Sequence, residues 1–325
     1  MADLEPLGEG GDTVRCRYCG QLNQTRGDGG RAVCGRCRLT LSDEPHKKFA
    51  DLDKHSYVHP LDSRALAALK TIPGIDSALK KLLEVTGESA IRVIFTASAV
   101  KVTPKQCPDL YAKLQIACTT LGVDMPELFV QQNPTVNAFT GGVKRPVIVL
   151  HSQLIERLND EEVLAVIAHE VGHIHAEHVL YITAARLLEA LANVAIASAP
   201  VAGLVAQLLS ATMRTALLSW ARRAELSCDR AALLVTQDPD VIGRMMMKLS
   251  GGTFASRVDY EQFLVQARDF QKNYDEKALD RFWADIINAG LTHPFPVWRV
   301  AEVMSWVESG DYARLIRGEA ESAAA

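Results

Sequence analysis

The pentapeptide His169-Glu170-Val171-Gly172-His173 constrains this chain more than any other feature. It sits in the run EEVLAVIAHEVGHIHAEH, where Val163, Val166, Ile167, Val171 and Ile174 recur every three or four positions. That period predicts an amphipathic helix. Residues four apart on a helix lie about 40° apart in projection, so both imidazoles leave one face. Three ionisable side chains in an apolar helix are costly to bury unless a cation compensates them. HExxH strings also arise by chance on helices rich in His and Glu, so the motif needs a further ligand elsewhere in the chain.

Read as a site, His169 and His173 grip one Zn²⁺, and Glu170, one step round, can take a proton from a metal-bound water. That is the chemistry of metal-assisted amide hydrolysis. On the same helix, His175 is two residues past His173 and faces away. His178 is nine past His169, half a turn out of phase, so both are expected at the surface or behind the ligands. A third His after a glycine turn would need Gly at 176 and His at 179, where this chain has Ala176 and Val179. Downstream, Glu225 and Asp229 share a face of a second helical pattern, RRAELSCDRAALLV. Such a pair is often a solvated helix face. With HExxH upstream, Glu225 reads as the third ligand and Asp229 as the acceptor that fixes a zinc-bound His.

Four of the seven cysteines form two CxxC pairs, Cys16/Cys19 and Cys34/Cys37. Four thiolates in two short knuckles suit a structural, tetrahedral Zn²⁺, which would supply the folding energy that so small a module lacks. The pattern predicts a zinc ribbon over 13–40 and a reducing, cytoplasmic setting rather than a disulfide framework. The first residues, MADLEPLGEGGD, do not read as a secretory signal. Six Arg against one Asp lie between Arg15 and Arg38. They offset the anionic zinc centre or dock a protein partner. Nucleic acid is not expected, since Tyr18 is the lone aromatic there and the whole chain carries a net charge of −4.

A polar linker is expected over 41–60, a main domain over 61–312 and a flexible tail over 313–325. In the main domain, SRALAALK and SALKKLLEV read as short helices around Pro73-Gly74, and Pro108 to Leu121 as another. Ile91 to Thr96 (IRVIFT) alternates and predicts a strand, as do Glu127 to Gln132, Val136 to Thr140 and Pro146 to His151. Strands gathered before helices argue an α+β fold, mostly helical with a small sheet.

Together AHEVGHIHAEH, AELSCDRAALL, VNAFTGG and THPFPVWR resemble the M48 peptidases, HtpX-like zinc metalloendopeptidases, over about Leu61 to Gly310. The resemblance implies a zincin fold of the glutamate-ligand (gluzincin) type with one catalytic Zn²⁺ on His169, His173 and Glu225. It implies that Glu170 is the general base and that Asp229 orients a ligand. His293 would hold the oxyanion with Arg299 in support, and Asn137, Ala138 and Phe139 would form an edge strand receiving an extended polypeptide. One departure is Cys228, where the family usually has Ala; a small buried thiol is nearly isosteric.

Ala190 to Met213 carries no charge over 24 positions. A single membrane span there would put His169 and Glu225 on opposite sides of the bilayer, so a helical hairpin bending near Pro200 is expected over 190–213. It could pack on the domain, join copies of the chain, or touch a membrane face. The implied activity is endoproteolysis of extended or unfolded polypeptides, as in protein quality control. The competing reading is a zinc-ribbon adaptor, for protein or nucleic acid, on a latent zincin scaffold.

Overall fold

The structure is a computed structural model describing residues 12–25, 32–49, 51–86, 88–195, 209–276 and 294–319. A small antiparallel ladder, β1 (Asp12–Arg15) with β2 (Leu22–Thr25), opens the chain. The two cysteine knuckles fold alike. The N–H of Cys16 donates to Gln21 O and that of Gly20 to Cys16 O; in the second knuckle Cys34 donates to Leu39 O and Arg38 to Cys34 O. The residue after each second cysteine is left-handed, Gly20 at φ 76° and Arg38 at φ 65°.

Three helices follow, α1 (Pro60–Lys70), α2 (Ile75–Thr86) and α3 (Glu88–Ser98), then β3 (Val100–Lys101) and α4 (Pro108–Leu121). Strands β4 (Glu127–Gln131), β5 (Ala138–Gly141) and β6 (Val147–His151) complete a four-stranded sheet in the order β3-β4-β6-β5. Only β4 and β6 run parallel. The remaining described elements are helices: α5 (Ser152–Arg157), α6 (Asp160–His175), α7 (Val179–Ala195), α8 (Ala211–Thr236), α9 (Pro239–Gly251), α10 (Tyr260–Glu276), α11 (Pro296–Glu308) and α12 (Asp311–Arg317). The fold is α+β and mostly helical, as the pattern predicts.

Helix α6 is the buried axle. Asn159 and Glu162 close a reciprocal capping box at its start, and every residue from Glu162 to His173 is buried. It crosses α8 at Gly172, where a Cβ would meet Ala231 Cβ at 2.8 Å and Cys228 Cα at 3.3 Å. Only glycine lets the two helices approach this closely, and the crossing brings Glu225 and Asp229 beside the HExxH turn. A second core around Trp220 packs α1 and α2 on α7 and α8.

Several expectations change. Ile91 to Thr96 is not a strand but the middle of α3. Arg92 and Phe95 are part-buried, a helical spacing that Ala99 continues just past the helix end, with Val93 and Ile94 outward. Phe95 covers one face of the sheet, with ring centroids 6.4 Å from Phe129 and 5.5 Å from Phe139. The 41–60 segment lies against the body rather than hanging free: Phe49 and Tyr57 are buried, and Lys47 Nζ donates to Leu315 O and Ile316 O at 2.9 and 2.7 Å. Those acceptors belong to α12, so the first part of the expected tail is a packed helix. The ribbon's Cys16, Cys34, Cys37 and Leu39 belong to the same apolar core as α4 and α6. Of the uncharged stretch, the bend near Pro200 lies outside the described residues; α7 and α8, at its two ends, pack on each other. No described helix is long and apolar enough to cross a membrane.

Candidate metal centre and its surroundings

On α6, His169 and His173 turn their Nε2 atoms toward Glu225 of α8. The gaps are 3.3 Å to Oε2 and 3.5 Å to Oε1. Zn²⁺ bonds to N and O of about 2.0–2.2 Å imply ligand–ligand edges of about 3.3–3.6 Å in a tetrahedron, so these donors are already at metal-binding spacing. His173 Nε2 is buried and has no hydrogen-bond partner among the described residues. Such an orphan is rare inside a protein and fits a nitrogen waiting for a cation.

The opposite ring nitrogen of His169 is held by Asp229, with Nδ1 to Oδ1 at 3.0 Å. Asp229 is gripped in turn by Arg299 of α11, whose Nε and Nη2 donate to its two oxygens at 2.8 and 2.6 Å. Burial disfavours a charge on His169, but the bonds to Asp229 and Glu225 outweigh it and raise the imidazole to about 9. Burial opposes ionisation of Asp229 too, and the Arg299 guanidinium overcomes it, holding the carboxyl below its usual range. Burial lowers His173. The field that draws a proton onto His169 is one that a divalent cation would exploit.

Glu170 is held from the sheet. Thr140 Oγ1 lies 2.7 Å from Glu170 Oε2 and 3.0 Å from its carbonyl oxygen. Thr140 and Ala138 point to α6 from β5, an edge strand of the described sheet, whereas Phe139 points to the other face and packs on Phe95. Of the expected substrate strand, Asn137 and Ala138 therefore reach the cleft and the Phe139 side chain does not. A cavity of about 310 Å³ opens there, walled by Val136, Leu154, Val166, Met245 and Leu249 beside His169, Glu170, Glu225 and Arg299. His293 lies outside the described residues.

Cys228 also approaches the pair: its Sγ and ring nitrogens of His169 and His173 all lie within 4.8 Å of one another. Glu225 is the better third donor. Cys228 Sγ is 3.9 Å from His178 Nδ1, on the side of His173 away from Glu225. Burial, with carboxylates nearby, pushes its thiol well above the ordinary range, away from the thiolate a metal requires.

His178 takes the second of the two places expected for it, behind a ligand, but it gets there by a turn and not along a continuous helix. Helix α6 ends before reaching it: Glu177 is left-handed at φ 60°, and the His178 N–H donates back to His173 O at 2.9 Å. This is a helix-ending turn that swings the ring inward, so a phase count along an unbroken helix does not apply. His178 is buried against the far side of His173. His175 does face away, to Tyr57 Oη at 2.9 Å and Leu52 O at 3.0 Å.

In the ribbon, Cys16 and Cys37 sulfurs are 3.7 Å apart and those of Cys19 and Cys34 3.6 Å. Zinc–sulfur bonds of about 2.3 Å give tetrahedral edges of about 3.8 Å, so the four thiols are arranged as a metal would have them. All seven cysteines are free.

The sequence profile of Peptidase family M48 matches residues 104–307. The chain belongs to that family. It is 36% identical over 277 residues to the plastoglobule-localized metallopeptidase 48, chloroplastic, of Arabidopsis thaliana, covering 84% of this chain and 78% of that protein. It is 24% identical to a protease HtpX homolog of Polynucleobacter necessarius subsp. necessarius, covering 68% of this chain and 81% of that protein. No solved structure matches.

Proposed function

We propose that this M48 metallopeptidase is a zinc-dependent endopeptidase that cuts extended or unfolded polypeptides. The observation that carries the reading is the pair of imidazole nitrogens facing Glu225 at tetrahedral spacing, one of them an orphan. His169, His173 and Glu225 would hold the ion. Bound Zn²⁺ supplies Lewis acidity at this position. Glu170 removes the proton of the attacking water and delivers it to the leaving amine, with Thr140 fixing the carboxylate that moves it. Asp229 keeps the His169 Nδ1 hydrogen in place and Arg299 keeps Asp229. Arg299, which also lines the cavity, would support His293 in holding the oxyanion. The edge strand β5 offers backbone to an extended chain, and the apolar cavity beside Glu170 suits a large apolar side chain flanking the cut. Unfolded segments expose both, which suits quality control in a reducing compartment such as the cytoplasm.

A second Zn²⁺ on Cys16, Cys19, Cys34 and Cys37 has a structural role. The adaptor reading is disfavoured because much of the ribbon faces its own body. Partners left to it, as to the 190–213 stretch in homo-oligomer or membrane contact, meet surfaces outside those contacts.

Purified protein should degrade an unfolded model substrate, stop on chelation, and carry two zinc ions per chain by mass spectrometry. Glu170→Gln should lower kcat by about 10²–10⁴ with zinc retained, the range of general acid–base catalysis. Equal turnover in that variant sinks the mechanism. Cys16→Ser and Glu225→Ala should each hold one zinc.

A further inference from the structure

Behind His173 lies a buried polar chain that reaches back to α1. His178 Nδ1 is 3.3 Å from His173 Nδ1, and His178 Nε2 is 3.1 Å from Asp62 Oδ2. Asp62 is fully buried and receives two further donors, Trp220 Nε1 on Oδ1 at 2.8 Å and Ser227 Oγ on Oδ2 at 2.5 Å. Ser227 Oγ in turn accepts the His59 N–H at 3.0 Å.

With one hydrogen on each imidazole, the bonds of this chain run in one direction. A carboxylate only accepts, so His178 must donate from Nε2. A neutral imidazole carries one N–H, which leaves His178 Nδ1 as an acceptor; Cys228 Sγ at 3.9 Å is a second, weaker donor to it. His173 must then carry its hydrogen on Nδ1 and present a bare lone pair at Nε2, the orphan that faces Glu225.

We propose that Asp62 and His178 are positioning residues for the metal centre, a two-step relay that sets the tautomer of His173 as Asp229 sets that of His169 in one step. The relay rests on the zinc reading above. It ties α1 to the site, although Asp62 lies outside the 104–307 stretch that matches the family profile. It also gives a reason for burying an Asp and a His together, where each alone would be strongly unfavourable.

The test is Asp62→Asn, a nearly isosteric change. If the carboxamide oxygen stays on the Trp220 indole, its N–H faces His178 and reverses the relay. Zinc affinity at the His169–His173–Glu225 position, measured by chelator competition, should fall about 10–100-fold, as for other changes behind a ligand. The ribbon zinc and the melting temperature of the metal-free protein should be held. His178→Leu should lose as much affinity, whereas His178→Gln, which can accept from His173 and donate to Asp62, should recover most of it. Nitrogen-15 histidine spectra of the metal-free protein give an independent readout: His173 should be the Nδ1–H tautomer in the wild type and Nε2–H in Asp62→Asn. An unchanged tautomer, or wild-type zinc affinity in both Asp62→Asn and His178→Leu, overturns the relay. Correct tautomers in a wild type that takes no zinc at this position would overturn the metal reading alone.

Discussion

Replacing Gly172 by Ala tests the crossing on which the whole centre depends. The added Cβ would stand 2.8 Å from Ala231 Cβ, 3.3 Å from Cys228 Cα and 3.5 Å from Cys228 Cβ. Carbon atoms pack at about 3.5–4.0 Å, so α8 must retreat by roughly 1 Å. Such overpacking costs about 1–3 kcal/mol, offset by about 0.5–1 kcal/mol for removing glycine from a helix interior. The net loss should be about 0–2.5 kcal/mol, seen as a lower melting temperature. Activity should suffer more, because Glu225 moves with α8, and misplacing a catalytic group by about 1 Å can lower the rate about 100-fold. Thermal melts and kcat/KM on one peptide substrate measure both effects. Ala231→Gly in the same chain removes the nearest clashing atom and should return most of the activity, though not all the stability, since it places a new glycine in α8. A Gly172→Ala protein that melts no lower and cuts no slower than wild type would refute the close crossing.

Two further outcomes are expected. Thr140→Val removes the hydroxyl bonded to Glu170 Oε2 at 2.7 Å; a hydrogen bond to a charged group is worth about 1.5–3 kcal/mol, so kcat should fall about 10–100-fold with zinc content unchanged. Thr140→Ser should restore it, and a Val variant at full speed would mean that Glu170 needs no such support. His46 is pushed down to about 4 by burial, with Arg17 and Lys48 adding to it against the bond to Val235 O. Because the folded value is depressed, the unfolded chain takes up the proton first, and the stability His46 contributes is whole above about pH 6.5 and is lost as pH falls toward 4. The melting temperature of the wild type should drop more steeply over that window than that of His46→Gln, and parallel curves would count against it.

Helix α4 was legible in the sequence from Pro108 to Leu121 because its ends carry their own signals, a proline at the first turn and Gly122 in the left-handed region at the stop. The candidate metal centre was legible because side chains four residues apart on a helix must share a face. IRVIFT was not, since five apolar or β-branched residues around Arg92 suit a strand or one side of a helix alike; what decides is Phe95 closing over the sheet. For His178 the sequence left two places open, at the surface or behind a ligand, because its inward swing depends on one left-handed residue, Glu177, which no spacing rule signals. Asp62 escaped completely. As an acid just after Pro60 it reads as an ordinary first-turn residue of a helix, and its partners lie more than a hundred positions downstream.

Lys113, fully buried on α4, ties the ribbon to the axle of the peptidase. Its Nζ donates to Cys37 O at 2.9 Å and to Asp160 Oδ1, at the first residue of α6, at 2.8 Å. The carbonyl it grips belongs to a cysteine of the proposed structural site, and Thr40 holds Glu161 of the same helix start. Loss of that metal would thus be felt at the head of the helix carrying HExxH, three turns from the histidines. Inhibition by a chelator is for that reason an ambiguous result in this protein: it can report an emptied ribbon as readily as an emptied cleft. Titrating the two sites separately, by the cysteine absorbance of one and the turnover of the other, separates a missing reagent from a loosened frame.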